Sequence, residues 1–124
     1  MDIKELLQRY AAGERNFTGI NLSYKNLTGI DLSEADLSKT YLRWSELHGA
    51  NLKGAILRDA RLDNIRLRHA VLDEADLRNA NLDEANFESA SLKKANLANC
   101  RMTEGSLENA NLEGANLQGA IIVD

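Results

Sequence analysis

Residues 70–92 read AVLDE-ADLRN-ANLDE-ANFES-ASL, with a large apolar residue at every fifth position. The same spacing continues in both directions without a gap, from Phe17 to Ile122, for 22 consecutive units. Of these 22 residues, 18 are Leu, two are Phe, one is Met and one is Ile. A small residue, most often Ala, stands two positions earlier, and in 12 units the residue between the two is Asn or Asp. The chain is therefore built from an internal five-residue repeat.

A period of five fits neither regular secondary structure. On an α-helix, five residues advance the chain by about 500°, which scatters the leucines around the helix. On a strand, five is an odd number, so successive leucines would point to opposite faces. The pattern predicts instead that the chain turns a corner once per unit, always in the same direction, with the small and large apolar positions facing inward.

Over residues 15–124 this pattern resembles the pentapeptide-repeat family, in particular its short cyanobacterial members that open with a helix. The resemblance implies an all-β solenoid, a right-handed quadrilateral β-helix with four pentapeptides per coil, so that residues twenty apart stack. The implied stack has about 5.5 coils and is roughly 26 Å tall at the ~4.8 Å spacing of paired strands. The Asn and Asp residues are expected to bond backbone groups at the corners, as they do in turns.

The first fourteen residues lack the repeat and predict a helix. Asp2 and Glu5 form a capping-box signal, and Gly13 suits the end of the helix. Helical spacing places five apolar residues on one stripe: Ile3, Leu6, Leu7, Tyr10 and Ala11. We expect residues 1–14 to cap the stack formed by residues 15–124, in a single domain.

The composition predicts no enzyme. A chain of 124 residues with a net charge of -4 has room for one domain, and no catalytic triad, paired carboxylates or zinc-ligand spacing stands out from the repeat. His48 and His69 are outward positions without ligand partners. We therefore expect no catalytic, metal-binding or cofactor-binding residues and no small-molecule substrate. With no membrane span, no signal peptide and the single Cys100, the expected location is the cytoplasm.

One outward column is aromatic. Tyr24 and Trp44 are twenty residues apart, so they stack in the implied coil, and three more residues share their face: Tyr41, Arg43 and Arg61. Trp, Tyr and Arg are the residues that dominate binding energy at interfaces. Two interpretations stay open, a docking patch for another protein and an aromatic ladder that stabilises the surface.

Charge is distributed unevenly along the chain. Residues 39–68 have seven basic and three acidic residues, a net of +4, and residues 69–124 have four basic and ten acidic, a net of -6. This suits a mixed solvated surface, or a basic band and an acidic end that bind partners or other copies of the same chain. Some members of the resembling family mimic DNA and occupy type II topoisomerases such as gyrase. A cluster of arginines here interrupts any phosphate-like surface: Arg58, Arg61, Arg66 and Arg68.

The sequence thus predicts a non-enzymatic scaffold that binds a macromolecular partner, expected to be a protein and not a nucleic acid, through its faces. A DNA-mimic inhibitor of gyrase is the alternative. The repeat ends without a cap at four apolar residues: Leu117, Ile121, Ile122 and Val123. Either these residues support a weak end-to-end homodimer, or the protein is a monomer with a frayed last half coil. Lys25 departs from the pattern because it occupies a small inward position, where its stem must snorkel to solvent or the coil must distort.

Overall fold

The computed structural model describes residues 1–123. It contains one helix, α1 (Ile3–Ala11), and three strands, β1 (Asn81–Leu82), β2 (Arg101–Thr103) and β3 (Ile121–Val123). The strands form a parallel sheet in the order β1-β2-β3. Isolated parallel bridges join residues twenty apart along the rest of the repeat, from Asn16↔Asp36 to Asn96↔Asn116. One turn of the chain therefore takes four pentapeptides, and successive turns stack.

Backbone hydrogen bonds between turns hold the stack together. The N–H of Leu32 donates to the carbonyl oxygen of Asn51 at 2.9 Å, and the N–H of Asn51 donates to that of Ile30 at 2.9 Å. The same pattern recurs along the repeat. Proline would remove a donor from this ladder, which explains why the sequence has none.

The corners are formed by left-handed residues. Between positions 19 and 119, the residue two places after each large inward residue has a positive φ, with the exception of Glu104. Fourteen of these corner residues are not glycine. A hydrogen bond closes each corner, for example from the N–H of Ala35 to the carbonyl oxygen of Leu32 at 3.1 Å. A positive φ at the third residue is the geometry of a type II turn.

The Asn and Asp residues confirm their expected role at the corners. Each of the twelve that precede a large inward residue accepts a hydrogen bond, through Oδ1, from the N–H two residues later. Asn51, for instance, accepts from Lys53 at 3.1 Å. These bonds satisfy N–H groups that would otherwise compete for water.

The inward residues form one continuous core. The large positions from Phe17 to Met102 are buried, and so are the alanines of the small positions from Ala35 to Ala95. Two small positions carry buried hydroxyl groups: Thr40 donates to the carbonyl oxygen of Leu37 at 2.7 Å, and Ser45 donates to that of Leu42 at 2.6 Å. Lys25, in another small position, is half-buried.

One turn departs from the repeat. The unbroken spacing places Leu107 in the core, but Leu107 is only partly buried and Ser106 takes the interior place, 2% exposed. Gly105 stands where most units have alanine. The Ser106 hydroxyl donates to the carbonyl oxygen of Leu82 at 3.0 Å and lies 3.0 Å from the hydroxyl of Thr103. These bonds compensate for burying a polar group in place of leucine.

The helix α1 packs on the first turn. Asp2 Oδ1 accepts from the N–H of Glu5 at 2.8 Å, and Gly13, with φ of 98°, follows the last helical turn, as predicted. Leu6 is completely buried with the core. Ile3 and Tyr10 pack with it, whereas Leu7 and Ala11, predicted on the same stripe, are exposed, because each lies about 100° around the helix from the residues that face the stack. Within residues 1–123, no helix has the length and hydropathy needed to cross a membrane.

Candidate functional site

The residues of the predicted patch lie together on one side of the stack. We call this side the aromatic face; it comprises one pentapeptide from each turn, residues 20–24, 40–44, 60–64, 80–84, 100–104 and 120–123. The N–H of Tyr24 donates to the carbonyl oxygen of Arg43 at 2.9 Å, which sets Trp44 directly next to Tyr24 on the following turn. Tyr41 and Arg61 are parallel bridge partners. The five predicted residues therefore occupy three consecutive turns.

The aromatic side chains of the patch are exposed. Tyr24 is 73% exposed, and Tyr41 and Trp44 are each 45% exposed. The large exposed apolar side chains of residues 1–123 number six, and the other three are Leu7, Ile121 and Ile122. Half of the exposed large apolar residues thus lie in one patch, as expected for an interaction surface.

Two of these aromatic residues occupy unfavourable backbone positions. Tyr24 and Trp44 are corner residues, with φ of 65° and 59°. The remaining non-glycine corners carry Asn, Asp, Glu, Lys, Ser or His. A left-handed conformation costs a bulky residue roughly 1–2 kcal/mol. Tyr24, which is 73% exposed, recovers little of this by burial, whereas Trp44, which is 45% exposed, recovers part of it. Burial therefore does not explain why an aromatic residue stands at the Tyr24 corner.

The patch includes one arginine paired within the chain and one that is not. Arg43 Nε donates to Asp63 Oδ2 at 2.7 Å, and this hydrogen bond raises the pKa of Arg43. Arg61 is exposed and forms no ion pair within residues 1–123. Asp63 was not among the predicted residues, although its opposite charge, twenty residues after Arg43, was an available signal.

The later turns of the aromatic face are acidic. Glu84 and Glu104 are exposed, and neither forms an ion pair in the described part of the chain. Asp83 Oδ2 accepts from Arg101 Nε at 2.8 Å. The face is therefore polarised along the stack: of its groups without an ion pair among residues 1–123, Arg61 lies on the third turn, and Glu84 and Glu104 lie on the fourth and fifth.

The basic band predicted from the sequence is partly neutralised. Arg58 bonds Asp76, which also accepts from Arg78 Nη2 at 2.9 Å. Burial opposes ionisation of Asp76, but the hydrogen bonds from Arg78 and Arg58 prevail and lower its pKa to about 2. Arg68 lies 3.5 Å from Glu88. The Arg58–Asp76 and Arg68–Glu88 pairs connect neighbouring turns, and the Arg78–Asp76 pair lies within one turn.

Chemistry-bearing side chains do not form a reactive cluster in residues 1–123. Cys100 is buried in a small inward position, burial raises its pKa to about 11, and its Sγ donates to the carbonyl oxygen of Leu77 at 2.7 Å. No three His, Cys, Asp or Glu side chains of that range could jointly hold a metal ion. His48 is half-buried and His69 is exposed.

The four residues of the predicted end contact lie on the last described turn. Ile121 is 55% exposed and Ile122 is 59% exposed, whereas Leu117 and Val123 are partly buried. β3 pairs with β2 on one side only within residues 1–123. This turn therefore presents apolar side chains and backbone groups together.

A family comparison decides the classification. The profile of the family described as pentapeptide repeats matches residues 16–49, 45–83 and 80–119, with 8 copies. The chain belongs to the pentapeptide repeat family. No curated protein matches the sequence. Members of this family form right-handed quadrilateral β-helices, and the twenty-residue pairing described above agrees with four repeats per turn.

Solved structures of other pentapeptide repeat proteins are similar. Rfr23 from the cyanobacterium Cyanothece 51142 is 29% identical with a TM-score of 0.73, over 98% of this chain and 95% of that one. HetL, involved in heterocyst differentiation regulation in the cyanobacterium Nostoc sp. strain PCC 7120, is 23% identical with a TM-score of 0.50, over 98% and 94%. QnrB1, a plasmid-mediated fluoroquinolone resistance protein, is 21% identical with a TM-score of 0.39, over 86% and 64%.

Proposed function

We propose that this pentapeptide repeat protein is a non-enzymatic scaffold that binds another protein through the aromatic face. The placement of Tyr24 and Trp44 at left-handed corners, exposed and stacked, carries the proposal. Residues retained in unfavourable backbone conformations are typical of functional sites. Arg61 adds a cation that no group of residues 1–123 neutralises, next to Tyr41. Aromatic and arginine side chains are the usual anchors of protein interfaces.

We also propose the finer architecture implied by the resemblance. It is a right-handed β-helix of about 5.5 coils over residues 15–124, with residues 1–14 as its cap in one domain. Burial of Leu6 with the core supports the role of the cap. The Tyr10 hydroxyl also donates a hydrogen bond of 2.7 Å to the carbonyl oxygen of Ser33, on the first turn of the stack, which supports the same role. Asp124 lies outside the described residues.

Affinity capture tests the scaffold proposal. Immobilised wild type, Trp44→Asn and Arg66→Glu are compared as baits in a lysate of the source cells. Trp44→Asn removes the aromatic anchor, and Arg66→Glu changes an exposed residue outside the aromatic face. We expect proteins that wild type and Arg66→Glu retain and Trp44→Asn loses. Identical retention by all three baits contradicts the proposal.

The DNA-mimic alternative lacks support on this surface. The aromatic face presents Arg61 and Arg101 among its carboxylates, where a DNA mimic needs continuous negative charge. The likeness to QnrB1 is too low in TM-score to bear on function. Purified protein added to a gyrase supercoiling assay decides the matter: we expect no inhibition, and inhibition at stoichiometric concentration restores the alternative.

End-to-end association is a second candidate, favoured by the exposure of Ile121 and Ile122. Two copies meeting through their last turns would bury these residues and pair the free edges of β3. The cross-section is small, so the buried area stays below the ~1,200 Å² of stable complexes and the dimer is weak. Ile122→Lys should then abolish concentration-dependent sedimentation. Unchanged sedimentation of that variant excludes the contact.

A further inference from the structure

The aromatic face has opposite character at its two ends. Its first three turns carry the aromatic residues and Arg61, and its fourth and fifth turns carry Glu84 and Glu104; none of these three charged groups forms an ion pair within residues 1–123. A partner that covers the whole face must therefore present negative charge to one half and positive charge to the other. The aromatic face of a second copy, rotated end over end, presents charges in this order.

We propose that the aromatic face binds a second copy of this chain in antiparallel orientation. The inference deepens the proposed function, on which it rests, by naming a partner for that face. Such a contact has a twofold axis perpendicular to the stack, so each copy contributes the same residues. With the axis between the third and fourth turns, the third turn of one copy lies level with the fourth turn of the other. The second turn then lies level with the fifth.

This arrangement brings complementary groups to the same level. Arg61 of one copy lies level with Glu84 of the other, about 10 Å apart across the face by strand geometry, within the combined reach of the two side chains. The symmetry forms this pair twice. Asp63 also lies level with Asp83, but each already accepts a hydrogen bond from an arginine of its own chain.

The aromatic residues gain partners as well. Tyr41 and Arg101 both directly precede a large inward residue, so the twofold axis places them in the same column and on the same level. A guanidinium over a tyrosine ring is a favourable cation–π arrangement. The twofold axis also places Trp44 on the same level as Glu104 of the second copy. The contact therefore covers two of the three exposed aromatic residues of the patch.

The size of the face sets the strength of the contact. Six turns at ~4.8 Å and a width of about 12 Å give each copy roughly 300 Å² of flat area, so the total lies below the ~1,200 Å² of stable complexes. The dimer is thus transient, and another protein that binds the same face can displace the second copy. Electrostatic complementarity selects its antiparallel orientation.

A charge-swap experiment tests the inference with the full chain. Sedimentation velocity is measured from about 10 μM to about 1 mM for wild type, Arg61→Glu, Glu84→Arg and their equimolar mixture. Each single variant opposes like charges twice in its own dimer, so its association should fall at least about tenfold relative to wild type. In the mixture, the carboxylate introduced at position 61 of one variant pairs with the guanidinium introduced at position 84 of the other. The second pair is the native one, between Arg61 and Glu84. The mixture should therefore associate like wild type. Arg66→Glu, on another side of the stack, should associate like wild type.

Several outcomes overturn the inference. The inference is wrong if wild type is monomeric over the whole concentration range, or if the single variants associate like wild type. It is also wrong if the mixture stays monomeric although both variants have the melting temperature of wild type. The end-to-end contact cannot mimic the expected result, because residues 61 and 84 lie away from the last turn. If the mixture fails but Trp44→Asn still loses captured proteins, the proposed function stands and the antiparallel dimer is wrong.

Discussion

Replacing Asp76 by asparagine should weaken the protein at neutral pH and have little effect in acid. The Asp76 side chain is 18% exposed and bonds both Arg58 and Arg78. Asparagine occupies the same repeat position in other units, for example Asn96, and accepts the same corner hydrogen bond. The substitution therefore keeps the turn and removes the charge.

The magnitude follows from the pKa of Asp76. Burial alone would raise this pKa, but the bonds from the arginines outweigh it, and the value falls from 3.8 to about 2. This lowering of the pKa corresponds to about 2 kcal/mol, and solvent screening of the half-exposed arginines reduces the expected contribution to about 1–2 kcal/mol. Since the folded-state pKa is depressed, this stability is present above pH ~4 and is lost as the pH falls towards 2.

Urea unfolding followed by circular dichroism at pH 7, 4 and 2 measures the difference. We expect Asp76→Asn to be about 1–2 kcal/mol less stable than wild type at pH 7 and nearly equal to it at pH 2. Asp36→Asn is the matched control, since the Asp36 side chain accepts a corner bond from Ser38 at 3.0 Å and forms no ion pair within residues 1–123. A deficit of Asp76→Asn that is the same at pH 7 and pH 2 refutes the electrostatic argument.

Three further predictions, on the core, the helical cap and the Trp44 corner, are tested by thermal or urea unfolding. Leu72→Asp should unfold the protein or destabilise it by more than about 4 kcal/mol, because it buries a carboxylate in the core. The outward Lys93→Asp should change stability by at most about 0.5 kcal/mol. Equal effects of the two substitutions would be inconsistent with the assignment of inward and outward positions. Leu6→Asp should destabilise the cap and promote aggregation, and Leu7→Asp should not; a soluble Leu6→Asp variant with an unchanged melting temperature contradicts the cap. Trp44→Asn should leave stability unchanged or raise it by up to about 1 kcal/mol, because asparagine tolerates the left-handed corner. A loss of stability above about 1.5 kcal/mol would show that Trp44 stabilises the fold.

The repeating part of the fold is predictable because its determinant is local and periodic. Each unit carries its own large apolar residue, most carry a small residue two positions earlier, and 12 carry the corner Asn or Asp. Asp2, Glu5 and Gly13 mark the ends of α1. Ser106 was not predictable from the phase of the repeat. Leu107 keeps that phase, whereas the buried Ser106 hydroxyl donates to the carbonyl oxygen of Leu82, which is 24 residues earlier in the chain.

The surface is less predictable because no periodicity constrains outward side chains. The twenty-residue stacking was enough to place Tyr24 next to Trp44 and Tyr41 next to Arg61. It did not reveal that Asp63 neutralises Arg43 while Arg61 has no ion pair in the described part of the chain, since ion pairing depends on side-chain conformation.

The fluorescence of Trp44 offers the most direct test of the docking surface. Trp44 is the one tryptophan of the chain and lies in the patch, so its emission reports on that site alone. Acrylamide quenching is measured for the free protein and at saturating concentration of a captured partner that contains no tryptophan, or whose tryptophans are replaced. A docked partner should lower the quenching constant of Trp44 several-fold. An unchanged quenching constant at saturation would show that the partner binds elsewhere and would contradict the account.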